Sequence, residues 1–346
     1  MLYVSCILSV LFLAYIADSR ENRFCLFLCA FILSIFCGVR SVETGVDTNN
    51  YYIFMSYIRE AGISYGSDIG FSVFAYVLMG FLKNPYHPLV IFAFITNYLI
   101  VYRIWDFRKE ASFTLMMLLY VAIFFPYALN IVRQFLAIAI VFWGTRYIER
   151  EEYVKYIVLN VLASTMHSSA LICFIFLFLN SARNKYKVLG FGMAVCCVLG
   201  GIVIFNQNIV KYKQYFLDTN LTIHAMTILK ILCVLFIMLF NKMFKNKEFS
   251  VSKDGILIPI KKIIPIMYLT GLLLATLGMK FKFMNRIGFY FIMFELPFWG
   301  QVVRARVNKR EYQFVIFVII GYFLFSSYLS GDNADNLFYY HSFLMK

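Results

Sequence analysis

Apolar runs recur along almost the whole chain, at residues 2–17, 24–39, 69–82, 88–104, 112–126, 129–148, 188–205, 223–241, 263–279, 287–303 and 312–329. Most approach the roughly 20 residues that a helix needs to cross a bilayer core about 30 Å thick. Lipid offers no water to unpaired backbone groups, so runs of this length and continuity read as helices packed together. A further stretch, 154–180, is interrupted by ASTMHSSA, which predicts two short or broken helices meeting near His167. The expected fold is all-α: a polytopic transmembrane helical bundle of roughly 11–14 membrane segments, some broken or re-entrant, with 1–346 as a single integral membrane domain. Composition agrees, at 62% hydrophobic and 14% charged. Soluble domains run near 45–50% and about 25%. The first run, Leu2 to Ile16, leads directly into the second, Phe24 to Val39, so no cleavable signal is expected.

A net charge of +14 raises the question of nucleic acid. Short basic loops between apolar runs answer it, because Lys and Arg collect on the cytoplasmic side of membrane proteins. Nucleic acid is therefore excluded as the partner, and membrane lipids are the expected surroundings. The eight cysteines include Cys6, Cys25, Cys29, Cys173, Cys196, Cys197 and Cys233, all inside apolar runs; none forms a CxxC pair, and they read as packing residues.

The basic loops also set an orientation. Loop 242–262 carries six lysines against Glu248 and Asp254, and 304–310 carries Arg304, Arg306, Lys309 and Arg310. Segments 103–109, 146–155 and 183–187 are smaller clusters. With all five in the cytoplasm, Pro126–Arg133 and KFKFMNR (280–286) fall at the outer ends of their helices. The interval 156–182 then needs an even number of crossings, which brings His167 to the same face. Counting back puts loop 40–68 in the cytoplasm, although its polar composition belongs to a site. A re-entrant or bent 69–82 would reconcile the two and place 40–68 on the extracytoplasmic side.

Within this framework a few polar residues stand out. An arginine at the centre of a membrane helix costs at least ~2.5–3.5 kcal/mol on insertion scales. Yet NIVRQFLAIAI (130–140) keeps Arg133 between Asn130 and Gln134. Snorkelling to the interface is one explanation. A cavity-facing, anion-binding Arg133 is the other, and an i,i+4 step from Asn130 to Gln134 would put both amides on one helix face. In GVRSVETGVDTNNYY, Arg40 can grip a phosphate or carboxylate with two donors, Glu43 or Asp47 can take a proton, and Tyr51 lies one turn on. An ordinary interfacial loop with an Arg–Asp pair is the plain alternative. His167 is the one histidine embedded in a long apolar stretch; it is either a buried ring bonded to a carbonyl or a general base in a lined cavity. Arg286 and Tyr290 are an i,i+4 pair near Lys280 and Lys282, either an interface anchor or a second anion contact. Glu295 is a weaker intramembrane acid, and the tail adds Asp332, Asp335 and His341. No Walker loop, GxGxxG, HExxH or His/Cys metal spacing is present, so neither metal nor cofactor is expected.

Taken in order, RSVETGVDTNNYY, DIGFSVFAYVL (Asp68 to Leu78), NIVRQFLAIAI, VLASTMHSSALICF and NRIGFYF resemble the EpsG family, a branch of the Wzy-type polysaccharide polymerases. The resemblance covers roughly residues 35–295, and its most specific part is N-x-x-R-Q-x-x-A followed downstream by H-S-S-A. The chain departs from the family in having Asp68 where a glutamate is usual before the GF element, and NLFYYHSF in place of an aromatic–proline tail. The resemblance implies a GT-C-like membrane glycosyltransferase in a bacterial plasma membrane. It would polymerise undecaprenyl-diphosphate-linked repeat units into a capsule, exopolysaccharide or O-antigen, with a flippase and a chain-length regulator as protein partners. Within that reading, His167 is the first choice of base and Asp47 the second. Arg133, Arg286 and Arg40 are the diphosphate contacts, with Asn130, Gln134, Tyr51, Asp68 and Tyr290 beside them. A flippase for the same lipid-linked sugars, or an acyltransferase acting on surface glycans, would need similar residues.

Overall fold

The structure, a computed structural model, describes residues 2–45, 47–63, 68–181, 183–207 and 260–304, with the isolated positions 227, 228, 230–232, 313, 317, 321 and 342. Run 312–329 apart from three positions, most of 223–241, residues 242–259 of the basic loop, and Asp332, Asp335 and His341 lie outside the described residues. Fourteen α-helices are described and, among these residues, no strand. The described residues fall into two compact units. One is drawn from Met1–Arg146, Val154–Leu171 and Leu296–Lys346, the other from Tyr147–Tyr153 and Ile172–Glu295.

The first unit begins with α1 (Leu2–Arg20) and α2 (Arg23–Gly38), whose turn is closed by Asn22 accepting from the Phe24 and Cys25 N–H groups at 2.9 and 3.3 Å. Short α3 (Thr48–Ala61) and α4 (Ile69–Phe81) follow, then long α5 (Tyr86–Asp106). α2 packs along α5, and Ser34 Oγ reaches the Ala93 carbonyl across that contact at 3.3 Å. Next come α6 (Phe113–Leu119), a π-helical turn at Tyr120–Phe124 and α7 (Phe125–Asn130). The π turn is wholly buried, its Tyr120 hydroxyl bonded to Asn97 Oδ1 at 2.7 Å. Among the described residues, three stretches are long and apolar enough to cross a membrane: Leu2–Arg20, Tyr86–Lys109 and Phe113–Asn130. At 13 residues, α4 is about 20 Å long, short of a full crossing.

A single non-helical residue, Ile131, separates α7 from α8 (Val132–Glu149). Phe135 through Phe142 are each at most 6% exposed, so this part of α8 is enclosed on every side. That is the pattern of a core helix without a polar face. The interruption corrects one expectation from the sequence. Asn130 ends one helix and Gln134 lies in the next, so they are not two steps along one helical face. α9 (Tyr153–Met166) ends where the sequence placed a break, and a 3-10 helix begins at Ser168.

In the second unit, α10 (Ile175–Asn180) packs on α11 (Asn184–Gln207), and α12 (Ile260–Gly278) pairs with α13 (Lys282–Ile292). The run 287–303 is not one span, because Met293–Phe294 form a turn and α14 (Glu295–Arg304) starts afresh. Glu295, expected further along the helix of Arg286, is instead the first residue of α14. It is 2% exposed and bonded to Lys230 Nζ at 2.6 Å.

Candidate functional site

The site in the first unit is organised around a carboxylate. Asp68 precedes α4 in the N-cap position but does not cap it. Its side chain is turned away toward two other elements and is 4% exposed. Oδ2 accepts from Arg133 Nη1 at 3.0 Å and lies 3.3 Å from His167 Nδ1, while Oδ1 accepts from the Ser168 N–H at 3.3 Å. Residues 65 and 99 positions apart in sequence are thus joined by one buried group.

Local chemistry explains why the chain arrives there. Met166 ends α9, and the 3-10 start leaves the Ser168 N–H pointing outward, where a carboxylate satisfies it. Gly70, in the first turn of α4, lets that helix press on α9. A Cβ there would stand 2.6 Å from Thr165 Cβ and 2.2 Å from Thr165 Oγ1. Phe71 is fully buried and anchors the same turn, its ring 4.6 Å from Phe92 and 6.2 Å from Tyr51. We therefore expect Gly70→Ala to force α4 off α9 at a cost of about 1–3 kcal/mol. The thermal midpoint of the purified protein should fall, and the Asp68 contacts should loosen with it. An unchanged midpoint would mean that the close approach carries no weight.

Burial pushes the Asp68 carboxyl up, but the hydrogen bond and charge of His167, the charge of Arg133 and the Ser168 N–H outweigh it, leaving its pKa below the ordinary 3.8. A carboxyl depressed in the folded state contributes stability in full above its unfolded pKa and loses it as pH falls through the lower folded value. The Asp68–Arg133 pair should therefore persist from neutral pH to below about 4. Asp68→Asn should flatten the acid limb of the stability–pH curve, read by thermal melts between about pH 3 and pH 7. A wild-type limb that Asp68→Asn leaves unaltered would refute the assignment.

Arg133 uses one edge. Its backbone N–H donates to Tyr51 Oη at 3.3 Å, and its guanidinium lies 5.9 and 6.0 Å from the Tyr51 and Phe71 ring centroids. With Nη1 on Asp68 and the Tyr51 hydroxyl beside the guanidinium, the side chain is still 44% exposed. His167 is similarly half committed. An ionised carboxylate only accepts, so in the neutral ring Asp68 holds the proton on Nδ1 and leaves the Nε2 lone pair available. No partner for Nε2 exists among the described residues. The arrangement offers a base and an anion-binding edge fixed by one shared carboxylate.

The other residues singled out by sequence fall elsewhere. Arg40 is 1% exposed and fully engaged within the protein, by Thr48 Oγ1 at 2.8 Å, the Leu129 carbonyl at 2.9 Å and the Cys37 carbonyl. Asp47 precedes α3, half-buried, and accepts from Asn50 Nδ2 at 3.3 Å. Asn130 lies against Gly45, whose φ of +82° suits glycine and whose added Cβ would be 2.5 Å from Asn130 Oδ1. Gln134 is buried on α8. Arg286 and Tyr290 are on α13 of the second unit, the arginine exposed and the tyrosine 1% exposed. Sequence reading missed the Ser168 N–H and the Thr165 contact. The glycine two residues after Asp68 was the available signal for the second.

Compared with known families, residues 3–342 match the EpsG family. The chain belongs to the EpsG family. No curated protein and no solved structure matches it. EpsG is a Wzy-type polymerase-like family, and this EpsG-family chain is accordingly an all-α membrane protein of polysaccharide-polymerase type. The EpsG match takes in every residue of the Asp68 cluster.

Proposed function

We propose that this protein is a glycosyltransferase that joins undecaprenyl-diphosphate-linked oligosaccharide repeat units into a bacterial surface polysaccharide, working at the outer face of the plasma membrane. The observation that carries the reading is the buried Asp68 carboxylate shared by His167 and by Arg133, whose side chain is 44% exposed. The acceptor sugar hydroxyl gives its proton to His167 Nε2 as its oxygen attacks the anomeric carbon of the donor. The anomeric C–O bond to diphosphate breaks, and its electron pair leaves with undecaprenyl diphosphate. Diphosphate is already a good leaving group, so positioning and charge stabilisation are what the protein adds. Arg133 faces the departing oxygens, and Asp68 holds both partners in register.

Support for the outer face comes from the charge bracketing, which puts Arg133 and His167 opposite the basic loops. Asp68, at the end of loop 40–68, bonds to both, and the short α4 is compatible with a helix that does not cross. The test uses purified full-length protein in vesicles with lipid-linked repeat units. Elongated glycan together with free undecaprenyl diphosphate is the expected product. Repeat units moved across the membrane without elongation would make the protein a transporter and overturn the proposal.

A further inference from the structure

We infer that Arg40 is a positioning residue that sets Arg133 in place without meeting substrate; the inference deepens the reading above and rests on it for its catalytic consequence. Arg40 follows α2 and is 1% exposed. Its guanidinium ties three helix ends. It donates to the carbonyl of Cys37 in the last turn of α2, and through Nη2 to the carbonyl of Leu129 in the last turn of α7 at 2.9 Å. Its Nε donates to Thr48 Oγ1, at the first residue of α3, at 2.8 Å. Carbonyls in a final turn have no partner within their own helix and are the groups a cation best satisfies.

Both of the longer ties lead to Arg133. Leu129 is two residues before Ile131, the one-residue break after which α8 begins, so capping Leu129 fixes where α8 starts and where its second residue, Arg133, points. Thr48 opens α3, and three residues later Tyr51 accepts the Arg133 N–H, itself an unpaired donor of the first turn of α8. Thr48 is held in turn by donating to the Thr44 carbonyl at 2.6 Å. Ser342 ties into the same backbone, its hydroxyl on the Val39 carbonyl at 2.8 Å and its backbone bridged to Arg40. A planar fork with donors on three sides suits this geometry; a lysine, as a point charge, cannot serve all three acceptors.

The test is a double-mutant cycle between Asp68→Asn and Arg133→Gln, read as thermal midpoint in the full-length protein and repeated in the Arg40→Lys background. In the wild type the pair should couple by a few degrees. In Arg40→Lys the coupling should fall by at least half. A residue that only supported the fold would lower every midpoint alike and leave the coupling intact, and that result would overturn the inference. Should Arg40→Lys fail to fold, Thr48→Val leaves Arg40 in place, removes the hydroxyl that accepts from it and donates to Thr44, and should still reduce the coupling. In chain-growth assays, Arg40→Lys should slow the otherwise wild-type enzyme yet change nothing further in Arg133→Gln. If the wild type shows no chain growth at all, the proposed function fails, while the midpoint cycle still decides the role of Arg40.

Discussion

Alanine at position 167 should lower the turnover of chain growth by about 10²–10⁴-fold, the range that a positioned general base contributes. The loss should fall on kcat with little change in KM, because the ring is proposed to act on the proton that leaves only as the new bond forms. Asp68 keeps its Arg133 and Ser168 contacts in that variant, so the fold should survive. Asp68→Asn makes a companion test. An amide can donate as well as accept, so it no longer dictates that the Nδ1 of His167 carries the proton. Its kcat should also fall. The measurement is a steady-state assay on lipid-linked repeat units; His167→Ala with wild-type kcat would remove the base from the mechanism.

The second large effect belongs to Arg133. Arg133→Gln removes a charged donor aimed at the leaving diphosphate, a change worth about 10²–10³-fold in comparable oxyanion contacts. KM should rise as well, since diphosphate is charged before and after the bond breaks. Arg133→Lys should recover only part of the rate. An ammonium has the charge but lacks the fork that lets one guanidinium hold Asp68 on one edge and present the other. Arg133→Gln also leaves the Asp68 carboxylate buried without its cation, so a lowered thermal midpoint should accompany the lost rate. Adding Asp68→Asn should restore part of the midpoint and none of the activity. A variant with full activity would return Arg133 to the status of an interface anchor.

The residues legible in advance were those whose signal is local. Apolar runs located α1, α2, α5, α11 and α12 to within a few positions, and the cluster of hydroxyls around His167 marked the end of α9. Arg133 stood out because a guanidinium among apolar neighbours needs a reason. Asp68 did not stand out to the same degree, since nothing within ten residues of it reveals partners 65 and 99 positions away. The break at Ile131 was hidden for a different reason: an isoleucine in an apolar run has no sequence mark of a helix end. Continuous hydropathy across 287–303 concealed the Met293–Phe294 turn in the same way. Arg40 was read as a ligand contact because composition cannot separate a cation that binds substrate from one that binds helix ends. Only the acceptors around it make the distinction.

The enclosure of α8 bears on how the protein would respond to its bilayer. Membranes of differing thickness act on embedded helices through hydrophobic mismatch, which tilts or shifts whatever touches the acyl chains. From Phe135 to Phe142, α8 has almost no surface on which such a force could act. By contrast α4, which delivers Asp68, exposes Val73, Tyr76, Val77 and Phe81 and is about 20 Å long. Arg133 therefore rides on a mechanically shielded element, while its carboxylate partner rides on one that lipid can move. Changes in acyl-chain length should reach the chemistry through α4, by altering how closely Asp68 is pressed against the end of α9.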